Sequence, residues 1–293
     1  MITILGATGQ IGSKITARLL AKGLSIRVVS RDREFLKSYI SKGADPFVSH
    51  LDNTDGLTKA FDGSKAVFTL IPPNLTTPNV REFMKRVSNA EVAAIKKAGV
   101  QRVVVLSSIG AHITENLSHI AGHNEHELRL AKLQNVDVHI LRPEYFMENV
   151  LFSQRTIQDQ NVWGSPLDSD LPLSMVATQD IAAAAVVALT GNPEPGVREL
   201  LGPESISCSQ VTEIMADVLN RPSLQYIQYS YEDTRNAIIN FRGASPDYAN
   251  DLIEMYKSYN EGLLVPEFPI SQGSTTSTTF REFAETTLKK LKS

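Results

Sequence analysis

Cysteine is nearly absent. Cys208 is the single one in 293 residues, so no intramolecular disulfide can form and a reducing compartment is expected. Long apolar runs are missing too. No stretch approaches the ~20 residues that would span a bilayer, and the first apolar run, Met1 to Leu5, breaks at Gly6 before it could serve as a secretory leader. An excess of one charge is also lacking. The net charge of -3 gives no bulk attraction to nucleic acid or to an anionic membrane, and Lys289, Lys290 and Lys292 read as a solvated helix face. These absences leave an ordinary globular chain, 42% apolar and 21% charged, expected in the cytoplasm without nucleic-acid or membrane partners.

The first half alternates short β-branched runs with amphipathic ones. Strands are expected at Ile2–Leu5, Ser25–Ser30, Asp45–Val48, Ala66–Ile71, Arg102–Ser107 and Asp137–Leu141. They are continuously apolar, as in Val103-Val104-Val105-Leu106, which suits parallel strands buried on both faces. Helical spacing falls between them at Ile11/Ile15/Leu19, Phe35/Tyr39, Leu57/Phe61, Val80/Val87/Val92/Ile95 and Leu128/Leu130/Leu133. The alternation predicts an α/β, Rossmann-type doubly wound parallel sheet with right-handed crossovers. Beyond about residue 150 the rhythm loosens, and helices are expected near 179–189, 209–219 (capped by Ser207 or Ser209), 231–241, 246–263 and 280–291, with a strand near 198–201. The expected division is a nucleotide-binding core over 1–150 and a smaller, mostly helical lobe over 151–293, with about 173–203 returning to the core.

Residues 6–12, Gly-Ala-Thr-Gly-Gln-Ile-Gly, join the first strand to the first helix. Gly6 suits a tight turn, Gly9 lets backbone approach a pyrophosphate, and Gly12 allows helix to pack on sheet. Thr8, Gln10 and Ile11 complete a loop whose N–H groups and helix dipole favour phosphate. A dinucleotide site is the reading. The second strand ends in Ser30-Arg31, and a base there fits the 2′-phosphate of NADP(H), with NAD(H) also admitted. Asp32 introduces the opposite possibility, since a shift of one residue would set a carboxylate at the ribose. Asp52 is offered to the adenine amino group, and Leu70, Ile71 and Pro72 form an apolar wall beside the adenosine ribose.

With these residues the chain resembles the NmrA-like group of atypical short-chain dehydrogenases/reductases. The likeness continues in Val103–Ser108, His123-x-x-x-Glu127, Leu141-Arg142-Pro143, Met147-Glu148-Asn149, Asp180-Ile181-Ala182 and Leu201-Gly202-Pro203. It implies that Ser107 and Ser108 face substrate or the carboxamide, and that Pro143, Tyr145 and Phe146 floor the nicotinamide pocket. Aromatics so spaced also suit a core. The wider superfamily protonates through a Tyr-x-x-x-Lys pair on the helix after the fifth strand. Here those positions are His119 and His123, and no tyrosine lies between residues 74 and 144. The resemblance then puts His123 on the nicotinamide ribose. His119, His123 and His126 share a helical face, which could also be a solvated surface; no further ligand motif supports a metal. Group members include NADPH-dependent quinone and azo-dye reductases, and non-catalytic regulators. Two functions follow: a reductase of a quinone-like or other flat conjugated acceptor, or an NADP(H) sensor acting through a protein partner. A homodimer is compatible with either.

Overall fold

A computed structural model describes residues 1–114 and 118–292. The elements of the sheet-forming half are β1 (Ile2–Ile4), α1 (Gln10–Ala21), β2 (Ile26–Ser30), a 3-10 turn (Glu34–Leu36) running into α2 (Lys37–Ile40), β3 (Asp45–Val48), α3 (Thr54–Phe61), β4 (Ala66–Leu70), α4 (Val80–Ala98), β5 (Arg102–Leu106), α5 (Ser118–Leu130) and β6 (Asp137–Pro143). The chain continues through a 3-10 helix (Met147–Ser153), α6 (Gln154–Gln160), β7 (Val162–Ser165), α7 (Thr178–Thr190), β8 (Gly196–Leu200), α8 (Cys208–Val218), β9 (Gln225–Gln228), α9 (Tyr231–Arg242), α10 (Pro246–Asn260) and α11 (Phe280–Phe283).

The main sheet has seven strands in the order β3-β2-β1-β4-β5-β6-β8. Pairings β1–β2, β1–β4, β2–β3, β4–β5 and β5–β6 are all parallel. This is the doubly wound order, which reverses between β1 and β4 and opens a crevice at the carboxyl ends of those strands. The strands read as apolar runs because both faces are covered: Val103, Val104 and Val105 have no exposed surface. One face carries Leu57, Phe61, Ala94, Ile95 and Leu130 from α3, α4 and α5 against Leu5, Val67 and Val103. α1 presents the expected Ile11, Ile15 and Leu19 stripe, all buried.

Two compact units emerge. One comprises residues 1–74, 79–142 and 181–198; the other comprises 75–78, 143–180 and 199–293. The second unit contains a parallel pair, β7 with β9, that periodicity did not reveal. Its strands span four residues each, and Gln225–Gln228 is largely polar and exposed, so neither carries a legible alternation. Ser207 caps α8 in a full capping box with Gln210, as its sequence suggests. The helix expected over 246–263 stops at Asn260, where Gly262 turns at φ 67° and the Leu263 N–H returns to the Ser258 carbonyl. The last helix is not uniform: a π-helical stretch, Ala284–Leu288, follows α11. There the Thr286 hydroxyl bonds back to the Glu282 carbonyl at 2.7 Å.

Candidate functional site

The glycine turn is built so that side chains cannot enter it. Gly6 sits at φ +61°, and a Cβ there would lie 2.7 Å from Leu70 Cδ2. A Cβ on Gly12 would lie 2.1 Å from the Gly6 carbonyl oxygen and 3.0 Å from Ala7 Cα. The turn closes through Gly9 N–H to Gly6 O at 2.9 Å, and Tyr39 of α2 braces it by donating to the Ala7 carbonyl at 2.8 Å. Helical spacing had marked Tyr39 only as a helix face; its contact is with a turn more than thirty residues upstream, which periodicity does not encode.

Thr8, Gly9 and Gln10 are exposed at the tip, while Ile11 and Gly12 are buried. Gly9 is the N-cap of α1, with no side-chain cap and no acidic residue in the first turn. α3 and α4, by contrast, are capped by Asn53 and Asn79. The first N–H groups of α1 have no intrahelical partners and point where an anion would be held. This geometry fits a dinucleotide pyrophosphate: Gly6 and Gly12 let the turn close tightly against Leu70 and the start of α1, and exposed Gly9 leaves the uncapped helix start bare of side chain.

Ser30 ends β2 and is half-buried; Arg31 is exposed beyond it. Asp32 turns back into the local chain, its Oδ1 accepting the Glu34 N–H at 2.9 Å at the start of the 3-10 turn. That bond gives the carboxylate a structural use and leaves Arg31 as the outward group. Asp52 is exposed, 3.9 Å from Arg86 Nε. Leu70 leans over Gly6, Ile71 is buried and Pro72 half-buried, so the end of β4 borders the glycine turn.

At the end of β5 the two serines diverge. Ser107 is buried, and its hydroxyl donates to Glu127 Oε1 of α5. Glu127 is in turn held by Arg142 of β6, through Nε at 3.0 Å and a second N–H at 2.6 Å. The single Ser107 proton is therefore committed to a buried carboxylate. Ser108 is half-buried, with its hydroxyl on the Ile109 carbonyl at 3.0 Å.

The three histidines of α5 do not act as one face. His119 and His123 meet edge to face with centroids 6.4 Å apart. His126 turns into the interface with α4, its Nδ1 2.8 Å from Ser88 Oγ and its Nε2 3.4 Å from Glu91 Oε2. Gly122 permits that packing, since a Cβ there would lie 2.5 Å from Met84 Sδ. Burial, with His119 and His126 nearby, lowers the His123 pKa to about 3; burial, then Arg129, lowers that of His126 to about 3. Glu91, wholly buried, is pushed well above the usual carboxylate range. Nδ1 of His123 is buried without a hydrogen-bond partner among the described residues, which have no cluster suited to a metal ion.

In the second unit, the segment leaving β6 is enclosed. Pro143, Glu144 and Tyr145 are buried and Phe146 is half-buried. Glu144 is 7% exposed; its Oε1 accepts the Tyr145 N–H at 3.0 Å and its carboxyl is hydrogen-bonded to the Tyr259 hydroxyl. Tyr145 stands edge to face on Tyr259 at 5.6 Å and hydrogen-bonds to Tyr256 one turn earlier on α10. Burial drives the Glu144 pKa up to about 7; the Tyr259 and Tyr145 hydrogen bonds oppose the rise and Glu199 adds to it. No sequence signal singled out Glu144, because its partners come from α10.

The model of the NmrA-like family matches residues 1–284. Relatives include an NAD(P)H azoreductase of Xenophilus azovorans, 26% identical over 87% of this chain and 86% of that protein. A (4-alkanoyl-5-oxo-2,5-dihydrofuran-3-yl)methyl phosphate reductase of Streptomyces griseus is 29% identical over 82% of this chain and 80% of its own. Among solved structures, an Escherichia coli NADPH-dependent quinone oxidoreductase in complex with NADPH superposes with a TM-score of 0.78 at 23% identity, covering 98% of this chain and all of that one. The match of that family model over nearly the whole chain shows that the protein belongs to the NmrA-like family.

Proposed function

We propose that the protein is an NADP(H)-dependent reductase of a flat conjugated acceptor, a quinone or an azo compound. The observation that carries the reading is the glycine cradle, in which Gly6 and Gly12 exclude any Cβ while the uncapped start of α1 faces outward. Gly6, Thr8, Gly9, Gln10, Ile11 and Gly12 hold the pyrophosphate by backbone N–H groups. Ser30 and Arg31 take the 2′-phosphate, Asp52 the adenine amino group, and Leu70, Ile71 and Pro72 the adenosine ribose. When bound, the dihydronicotinamide supplies a hydride to the acceptor.

The chain's own residues divide the remaining work. A His123 ring with a pKa near 3 is neutral at physiological pH and no source of protons, and its assigned role is a hydrogen bond to the nicotinamide ribose. Ser107, its proton held by Glu127, positions the end of β5, and Ser108, its proton on the Ile109 carbonyl, offers its oxygen to the carboxamide N–H or the acceptor. Of the expected nicotinamide floor, half-buried Phe146 supplies apolar surface for a flat ring, while Pro143 and Tyr145 are buried, Tyr145 against Tyr256 and Tyr259. The known names of the azoreductase and quinone oxidoreductase relatives support this acceptor class.

The test is loss of NADPH absorbance with a panel of quinones and azo dyes, together with calorimetric cofactor binding. Turnover with at least one member is expected. Tight NADPH binding without turnover on any acceptor would replace the reductase by a sensor. Arg31→Ala should weaken NADPH roughly 10- to 100-fold, the worth of charge-assisted hydrogen bonds to phosphate, and leave NADH almost unchanged. Equal losses would remove Arg31 from the phosphate.

A further inference from the structure

We infer that Tyr39 is a positioning residue of the cofactor site, whose hydroxyl fixes the Ala7–Thr8 peptide so that the Thr8 N–H is presented to the diphosphate. The inference rests on the dinucleotide reading of the glycine turn and adds to it a residue from outside the turn.

Residues 6–9 form a turn closed by the Gly9 N–H on the Gly6 carbonyl at 2.9 Å. That bond fixes the two ends and leaves the central peptide, Ala7–Thr8, able to rotate between the two common turn types. Glycine spacing therefore shapes the turn without deciding which way its middle amide points. Tyr39 supplies that constraint. Its hydroxyl donates to the Ala7 carbonyl at 2.8 Å, and both residues lie in the first compact unit. Carbonyl and N–H point opposite ways across a planar trans peptide, so an Ala7 oxygen turned to α2 sends the Thr8 N–H away from it. Thr8 stands exposed at the tip of the turn, next to the uncapped start of α1. A diphosphate held at that helix start then meets one more oriented amide.

The donor is itself held. Leu36, with no exposed surface, anchors the 3-10 turn before α2. Lys42 and Ala44 both return their N–H groups to the Tyr39 carbonyl at 3.0 Å, and β3 then pairs with β2 through all four of its residues. Burial raises the Tyr39 pKa, so the phenol keeps the proton it donates. Packing alone asks only for a ring here. Phenylalanine would supply that ring, and the hydroxyl is what reaches the turn.

The experiment measures binding of NADPH, NADH and adenosine 2′-monophosphate to wild type and Tyr39→Phe by calorimetry, and follows the Thr8 amide resonance by NMR as NADH is added. Tyr39→Phe should weaken NADPH and NADH by the same factor, roughly 3- to 10-fold, the worth of one neutral hydrogen bond. In that it differs from Arg31→Ala, which should spare NADH. Adenosine 2′-monophosphate has no diphosphate and should bind both proteins alike, whereas a residue that only stabilised the fold would weaken all three ligands together. The Thr8 amide should shift on NADH addition in wild type and shift less in Tyr39→Phe. Unchanged dinucleotide affinities in Tyr39→Phe, or an equal loss with adenosine 2′-monophosphate, would overturn the inference and leave the cofactor site in place. A Thr8 amide that NADH does not move in wild type would overturn it without any variant. Failure of wild type to bind either dinucleotide would overturn this inference and the dinucleotide reading together.

Discussion

Replacing Gly12 and Gly9 by alanine separates the packing role of the glycine turn from its ligand role. At Gly12 the new Cβ would stand 2.1 Å from a backbone oxygen and 2.7 Å from its carbon. Neither atom can rotate away, so the start of α1 must move by about 1 Å to reach ordinary contact. Overpacking of this kind destabilises by about 1–3 kcal/mol, which for a chain of this size lowers Tm by roughly 2–10 °C. The displaced amides should also weaken NADPH, roughly 10-fold or more. At Gly9 the backbone is extended, φ -82° and ψ 174°, and the Cβ meets only the Gly6 oxygen at 3.3 Å. Alanine adopts that conformation, so Gly9→Ala should leave stability within about 0.5 kcal/mol. Its methyl would nonetheless occupy the approach to the pyrophosphate, and affinity should fall at least as far as in Gly12→Ala. Thermal unfolding gives the first quantity and NADPH fluorescence titration the second. A Gly9→Ala protein that binds NADPH like wild type would refute the cradle.

Three further outcomes follow from the buried charges. His126, 1% exposed with its pKa near 3, takes up protons more readily unfolded than folded. Its contribution is present above the unfolded pKa of about 6.5 and is lost as pH falls, about 2 kcal/mol by pH 5; urea titrations should show a flatter slope in His126→Gln. Glu144 acts oppositely: its raised pKa makes folding less favourable as pH rises from about 4.5 to 7, so Glu144→Gln should gain up to about 3 kcal/mol relative to wild type at pH 8. A Glu144→Gln protein with no pH-dependent gain would show that the carboxyl is ionised throughout. Arg142→Leu leaves Glu127 buried without its bidentate partner and should cost about 3–5 kcal/mol in chemical denaturation, whereas Arg142→Leu with Glu127→Leu should recover much of that loss.

The Rossmann core was legible because its signals are local. Val103–Val105 announces a strand buried on both faces, and Ile11, Ile15 and Leu19 repeat at the helical period whatever surrounds them. The glycine spacing is similarly local, since Gly6 and Gly12 are neighbours through one turn. Arg31 was placed beyond the end of β2 by the same local pattern, and it lies there, exposed. The β7–β9 pair was missed because four-residue strands some sixty residues apart leave no periodic trace. The histidine face was read from spacing alone, and tertiary packing divided it: His126 went to Ser88 and Glu91 of α4, while His123 paired with His119.

The sequence by itself determined which residues can form strands, where a side chain is forbidden in the turn, and that the usual tyrosine is absent. The three-dimensional arrangement alone decided which groups hold protons. A pKa depends on burial and on neighbours distant in the chain, and those are set when α10 brings Tyr259 to Glu144 and α4 brings Glu91 to His126.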